Sequence, residues 1–224
     1  MFLPLQGAFA VEDSVKMLSR AASRNFATID VTSFGACIGP SNKAEIMVNG
    51  IRIDPQRFVN RDGYHNRGIF AAAFAEKGNE LIWAVFYDTY AHPQARTDLN
   101  DALAKLAPGT YLAAAISDAH QTNDALSATM TQSFGSKYFA DLKHRESWAF
   151  VSQKDPTGDD DAGGFNGHVL FEQDGGGRGN GGTPSARDNV CTANDGDSGY
   201  KPLIAEGSAI LVGKDMKDVL SGWW

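Results

Sequence analysis

The chain has 224 residues, 42% of them hydrophobic and 21% charged, with a formal net charge of -7 at pH 7, as is typical of a globular protein with a substantial core. This acidic balance disfavours nucleic acid as the main partner, because binding to phosphate requires a basic face. No apolar run approaches the roughly 20 residues of a membrane helix, so the sequence predicts no membrane span.

The first predicted element is an amphipathic helix within residues 8–24. Four apolar residues recur there at helical spacing and form a stripe that must pack on another surface: Val11, Val15, Leu18 and Ala22. The opening segment MFLPLQGAFAVEDS is apolar but short, and no basic residue precedes it, so we expect no classical secretory signal. Residues 1–25 are therefore interpreted as an N-terminal extension.

The main domain is predicted to begin with a series of β-strands near Phe26, where FATIDVTSF indicates the first strand. The segment AEIMVNGIRID is a strong hairpin signal, because Asn49 and Gly50 supply the positive φ angles of a type I′ turn. A loop containing Pro55 follows. The next two strands, GIFAAAFA and ELIWAVFY, are almost continuously apolar, which predicts burial on both faces.

Two helices and three further strands are predicted next. Residues 94–107 have one apolar face, and Pro108 ends this helix. Residues 122–134 form the second predicted helix, with Gly135 as its stop. The buried strand TYLAAAI lies between the two helices, and the strands WAFVSQ and GHVLFEQD follow them.

The last part of the chain differs in composition. Residues 175–200 contain GGGRGNGGTPSARDN, a glycine-rich arm that is flexible by composition and that we expect another surface to hold. Residues 201–224 contain one more strand-like piece, GSAILVG, and end in Trp223 and Trp224. Two tryptophans are unfavourable in water, so we expect them to contact a partner.

The residues that most often carry enzymatic or metal chemistry give weak signals here. The segment GDSG at 196–199 is similar to the serine segment of trypsin-like proteases, but Tyr200 replaces the second glycine and no matching histidine segment exists. The acids at 159–161, with Asp195 and Asp197, lack the EF-hand pattern. No histidine or cysteine spacing fits a metal site. We therefore predict no catalytic residue, no metal and no cofactor.

The two cysteines, Cys37 and Cys191, are far apart in the chain. They are compatible with one long-range disulfide, which would contribute about 2–4 kcal/mol. They are equally compatible with two free thiols.

An ordered string of motifs lies between Arg67 and Gln153. It runs RGIFAAAFAEKGNELIWAVFYDTY, then APGTYLAAAISDAH, then FGSKYFADLKHRESWAFVSQK. In this order, the motifs resemble the interleukin-like EMT inducer (ILEI) family, also called the PANDER-like or GG domain, over about residues 26–174. The resemblance implies an α+β fold, with a compact β-sandwich-like core of two sheets and flanking helices, between the N- and C-terminal extensions.

The resemblance also implies a carbohydrate site. In relatives, an aspartate and an arginine that contact glycan match Asp118 and Arg145 here, and Trp148 lies near enough in sequence to stack on a sugar. A carboxylate accepts hydrogen bonds from neighbouring hydroxyls, and a guanidinium donates from a fixed fork. This chain departs from the family at Ser117 and Ala119. The alternative interpretation is a plain ion pair between Asp118 and Arg145.

A third aspartate, Asp88 in FYDTY, lies where a strand meets the turn before a helix. We expect it to form an Asx turn or a cap rather than to contact a ligand.

Two functional hypotheses follow. The first is a non-catalytic ILEI-type binding module that recognises a glycan or a protein surface. The second is a structural subunit of a virion, or of a phage-like tail or surface assembly, in which the domain is a scaffold and the terminal segments make the contacts. In both cases we expect a location on a virion or extracellular surface, with a second copy of the chain as a further candidate partner.

Overall fold

The computed structural model describes residues 26–35, 44–60, 67–76, 80–142, 146–155, 167–174 and 204–212. These segments contain ten strands and two helices. The strands are β1 (Phe26–Gly35), β2 (Glu45–Val48), β3 (Ile51–Arg52), β4 (Arg57–Val59), β5 (Gly68–Phe74), β6 (Leu81–Tyr87), β7 (Tyr111–Asp118), β8 (Trp148–Gln153), β9 (His168–Asp174) and β10 (Ile204–Val212). The helices are α1 (Pro93–Ala104) and α2 (Asp124–Gln132).

All ten strands belong to one connected sheet. Its central part has the order β1-β7-β5-β6-β4; β2 and β10 also pair with β1, β3 pairs with β2, and β8 joins β7 to β9. The fold is α+β as predicted, but two separate sheets are not confirmed. The sheet is continuous because the end of β1 pairs in parallel with the end of β7, where Phe34 lies beside Ser117.

The sheet curls until the outer strands β9 and β10 lie side by side. The ring of Phe171 covers the backbone of Gly207 so closely that an added Cβ would lie 2.1 Å from a ring carbon. The backbone N–H of Glu206 also donates to the side-chain oxygen of Gln173 at 3.3 Å. These contacts hold the outer strands together without a continuous ladder.

Two hydrophobic cores lie on opposite faces of the central strands. Alternate residues of β5, such as Phe70 and Phe74, pack inside the curl with residues of β1, β2 and β10. The intervening residues, such as Ile69, pack beneath the two helices. All seven residues of β5 are therefore buried, which confirms the prediction from its continuous apolar run.

The local signals in the sequence account for the turns and helix ends. Asn49 and Gly50 have φ angles of 51° and 76° and form the predicted hairpin turn between β2 and β3. The side chain of Asn123 accepts a hydrogen bond from the N–H of Leu126 at 2.8 Å and caps α2. Gly135, with a φ of 74°, follows that helix as predicted.

Both helices are shorter than predicted, and one strand was missed. Strand β4, within a predicted loop, pairs in parallel with β6. Its sequence has no clear alternation: two of its three residues are exposed.

Several predictions concern residues outside the described segments. They are the N-terminal helix, the glycine-rich arm, both cysteines, Arg145, the GDSG segment, the acids at 159–161, Trp223 and Trp224. Among the described helices, neither is long and apolar enough to span a membrane.

Candidate functional site

The candidate site lies at one end of the sheet, where β6 and β7 end and β5 begins. Gly68 pairs with Ser117 on one side, and its backbone packs against Asp88 on the other. A Cβ on Gly68 would lie 2.0 Å from the carbonyl oxygen of Tyr87 and 2.9 Å from the Cα of Asp88. Only glycine fits here, so the absence of a side chain brings the ends of three strands together.

Asp118 ends β7 in a strained turn. Its φ is 58°, and the N–H of Ala119 donates to the carbonyl of Ser117 at 2.8 Å. This three-residue bond with a positive central φ is a γ-turn of the rare, strained kind, and such a conformation costs about 1–3 kcal/mol. The other non-glycine residues with positive φ in the described chain are Asn49 and Asn60. Strain of this kind is frequently found at ligand sites.

The carboxylate of Asp118 is partly exposed. Within the described segments, neither the hydrogen bonds nor the ion pairs include it. Because Gly68 pairs with Ser117, Arg67 and Asp118 are the next residues outward on adjacent strands. The turn thus presents an acceptor beside a basic residue.

Asp88 is completely buried. Its Oδ1 accepts the N–H of Ala91, three residues further on, at 3.0 Å, which confirms the cap predicted as one of two local roles. Its Oδ2 lies 3.9 Å from Nη2 of Arg67 and 4.0 Å from Nε2 of His92. Both distances exceed that of a hydrogen bond, so neither Arg67 nor His92 donates a direct hydrogen bond to this oxygen of the buried carboxylate.

Arg67 connects this buried acid to the surface. Its side chain is 24% exposed, whereas that of Asp88 is 0% exposed. The guanidinium lies over the ring of Tyr90, 4.9 Å from the centroid, a cation–π contact that restricts its orientation. Arg67 is thus a basic side chain held between the aromatic ring and the acid.

Arg96 on α1 joins the two loops that frame the site. Its Nε donates to the carbonyl of Thr89 at 2.7 Å and its Nη2 to the carbonyl of Tyr90 at 3.3 Å. Nη2 also donates to the side-chain oxygen of Gln121, in the loop after β7. One guanidinium therefore fixes the turn after β6 relative to the loop after β7.

A row of buried polar atoms crosses the same end of the sheet. Several of them lack a hydrogen-bond partner within the described chain: Arg67 Nε, Asp88 Oδ2, Thr89 Oγ1, Ser117 Oγ and Ser147 Oγ. Buried polar atoms normally have a partner, whether protein or water. These five atoms, all of them without a partner among the described residues, lie at the same end of the sheet as Gly68 and Asp118.

The comparison with known families matches this region. The family model described as interleukin-like EMT inducer matches residues 67–156. The match starts at Arg67 and includes β5 to β8, both helices, and both Asp88 and Asp118. The chain contains an ILEI domain. No curated protein matches the chain.

The buried tryptophan of the ILEI domain belongs to its core. Trp148 is 0% exposed and lies between Phe139 and Phe150, whose ring centroids are each 5.0 Å away. Its indole N–H donates to Oε1 of Glu172 at 2.9 Å. The predicted role in stacking on a sugar needs an exposed ring face, and this arrangement leaves none, so the prediction is corrected to a packing role.

The carboxylate of Glu172 links β9 to the segment after α2, and sequence reasoning missed it. It accepts hydrogen bonds from the backbone N–H of Lys137 at 2.8 Å and of Tyr138 at 3.4 Å. It also accepts from the hydroxyl of Ser136 and the indole of Trp148. A single glutamate in a short strand gives no local signal of such a role.

The described part of the ILEI domain and its flanking strands contain no cluster of three or more histidine, cysteine or acidic side chains that could hold a metal ion. Of the proposed glycan contacts, the structure describes Asp118 and Trp148 but not Arg145. The pairing of Asp118 with Arg145 therefore stays a prediction.

Proposed function

We propose that this ILEI domain is a non-catalytic binding module that holds a carbohydrate at the end of the sheet where Asp118 lies. The observation that carries the proposal is the Asp118 carboxylate, which is partly exposed, sits in a strained turn and has no partner within the described residues. An acceptor that has no partner in the described chain can receive a sugar hydroxyl without the loss of an existing protein hydrogen bond.

The charges around Asp118 favour a neutral polyhydroxyl ligand. The same end of the sheet contains two acidic residues, Asp118 and Asp88, and the basic residue Arg67. An anion or a cation bound there would therefore be attracted by one group and repelled by another. A sugar offers donors and acceptors together and matches such a mixed site. Arg145 enters as a second contact from the family resemblance alone.

The test is a glycan array on the purified chain and on Asp118→Asn. Asparagine tolerates a positive φ, so this change removes the charge while keeping the turn. Arg145→Gln tests the second contact. The matched control is Asp54→Asn, because the Asp54 side chain is 86% exposed and pairs with Arg52.

We expect binding by the native chain and by Asp54→Asn, and at least about a tenfold loss in Asp118→Asn, as for a lost hydrogen bond to a charged group. A native chain that binds no glycan, or an Asp118→Asn variant that binds equally well, would refute the proposal. Mass spectrometry of the recovered glycan tests the non-catalytic part, which predicts an unchanged ligand.

The second hypothesis, a structural subunit of a virion or tail assembly, remains a prediction. The terminal segments and the glycine-rich arm that would make its contacts lie outside the described residues. The position of β10 shows which terminal deletion can test this hypothesis. Strand β10 contributes Ala205 and Leu211 to the core, so a deletion of 201–224 would damage the fold. A deletion of 213–224 retains β10, and a fall in assembly mass would support the hypothesis.

A further inference from the structure

The separation between Oδ2 of Asp88 and Nη2 of Arg67 suits one bridging oxygen atom. Oδ2 and Nη2 of Arg67 are 3.9 Å apart, beyond direct hydrogen bonding. If an oxygen lies about 2.8 Å from both atoms, a normal hydrogen-bond length, the angle at that oxygen between Oδ2 and Nη2 is about 90°. That angle is acceptable for a water or hydroxyl oxygen, so a single bridging atom satisfies both groups.

The chemistry of the two groups restricts what that atom is. Arg67 only donates, and an ionised carboxylate only accepts. The bridging oxygen must therefore accept from the guanidinium and donate to Asp88, which a hydroxyl group does. An anion would meet the carboxylate, and a cation would meet the guanidinium, so charge excludes both.

A hydroxyl group, which can donate or accept, follows Asp88 directly in the sequence. Thr89, directly after Asp88, is 0% exposed, and its Oγ1 has no hydrogen-bond partner in the described chain. Nε of Arg67 also has no hydrogen-bond partner in the described chain. The partly exposed Arg67 side chain leads from the surface to this buried position.

We propose that Asp88 and Arg67 together bind a neutral hydroxyl oxygen. Two sources supply this chemistry: an internal water molecule, or a hydroxyl group of a ligand that displaces the water. The site rests on Asp88 and Arg67 and is separate from the proposed contact at Asp118. Only the ligand source rests on the proposed function.

The first experiment counts long-lived internal water molecules by oxygen-17 relaxation dispersion of the unliganded protein. Asp88→Asn keeps an acceptor for the Ala91 N–H but replaces Oδ2 with a donor. Arg67→Met removes the donor at a partly exposed position and serves if Asp88→Asn does not fold. We expect either variant to lose about one long-lived water, while Asp54→Asn, an exposed aspartate, loses none.

The second experiment identifies the source by titrating the native chain with ethylene glycol, a small hydroxyl probe, while the Nε–H resonance of Arg67 is followed by NMR. A resonance that moves in the native chain but not in Asp88→Asn indicates that a ligand hydroxyl enters. An unmoved resonance, together with a water lost in the variants, indicates that water alone occupies the site.

An equal water count in the native chain and both variants, with no response to ethylene glycol, would overturn the site. A negative glycan array with a water lost in Asp88→Asn would refute only the proposed function.

Discussion

Replacing Glu172 should reveal how much one carboxylate contributes to the stability of the domain. In Glu172→Ala, the indole N–H of Trp148, a fully buried residue, loses its acceptor, which costs about 1–3 kcal/mol. The N–H of Lys137 also loses a bond of 2.8 Å, worth about 1 kcal/mol. The expected decrease in the free energy of unfolding is about 2–4 kcal/mol.

The variant Glu172→Gln separates the two contributions. Its remaining carbonyl oxygen still accepts from the indole, but its amide group faces the N–H of Lys137, so the expected loss is only about 1–2 kcal/mol. The order of stability should be native, then Glu172→Gln, then Glu172→Ala. Glu80→Gln is the control, because Glu80 is exposed and such changes stay within about 0.5 kcal/mol.

Urea unfolding followed by tryptophan fluorescence measures these differences, and a thermal scan gives an independent check. At about 2–4 °C per kcal/mol for a chain of this size, Glu172→Ala should melt about 4–16 °C below the native chain. Equal losses in the two Glu172 variants, or losses no larger than that of Glu80→Gln, would show that the hydrogen bonds to this carboxylate do not support the fold.

Three further changes test the structure. Gly68→Ala places a Cβ 2.0 Å from the carbonyl oxygen of Tyr87 and should lower the melting temperature far more than Gly50→Ala, which meets no atom within 4 Å; similar losses would contradict the close packing. Lys154→Met removes an ammonium that donates to three carbonyls at the end of α1 at 2.7–3.3 Å and should cost about 1–2 kcal/mol, with faster hydrogen exchange in the last turn of that helix as the check. Burial raises the pKa of Tyr87, so the contribution of its neutral phenol to the free energy of unfolding is present below the unfolded pKa and is lost as the pH rises through the folded pKa. Urea titrations between pH 9 and 12 should show that the free energy of unfolding falls more steeply for the native chain than for Tyr87→Phe. Parallel curves would refute this.

The sequence predicted much of the candidate site but not its arrangement. The family resemblance marked Asp118 as a ligand contact, and the position of Asp88 directly after an apolar strand marked it as a turn residue. The sequence placed Arg67 in a motif without assigning it a role. The distance between the side chains of Arg67 and Asp88 depends on the approach of β5 to β6. The burial of Trp148 depends on contacts with Phe139 and Phe150, which lie on two different segments.

The sequence by itself determined the elements whose causes are local. The Asn49–Gly50 turn, the Asn123 cap and the glycine after α2 act through neighbouring backbone atoms, and continuous apolar runs require burial wherever they fold. Tertiary structure decided which strands pair. Phe26 lies beside Val212, at opposite ends of the described chain, and β1 closes one curled sheet where two were predicted. Such pairings form because segments far apart in the sequence share one core, and the local sequence pattern does not predict which segments these are.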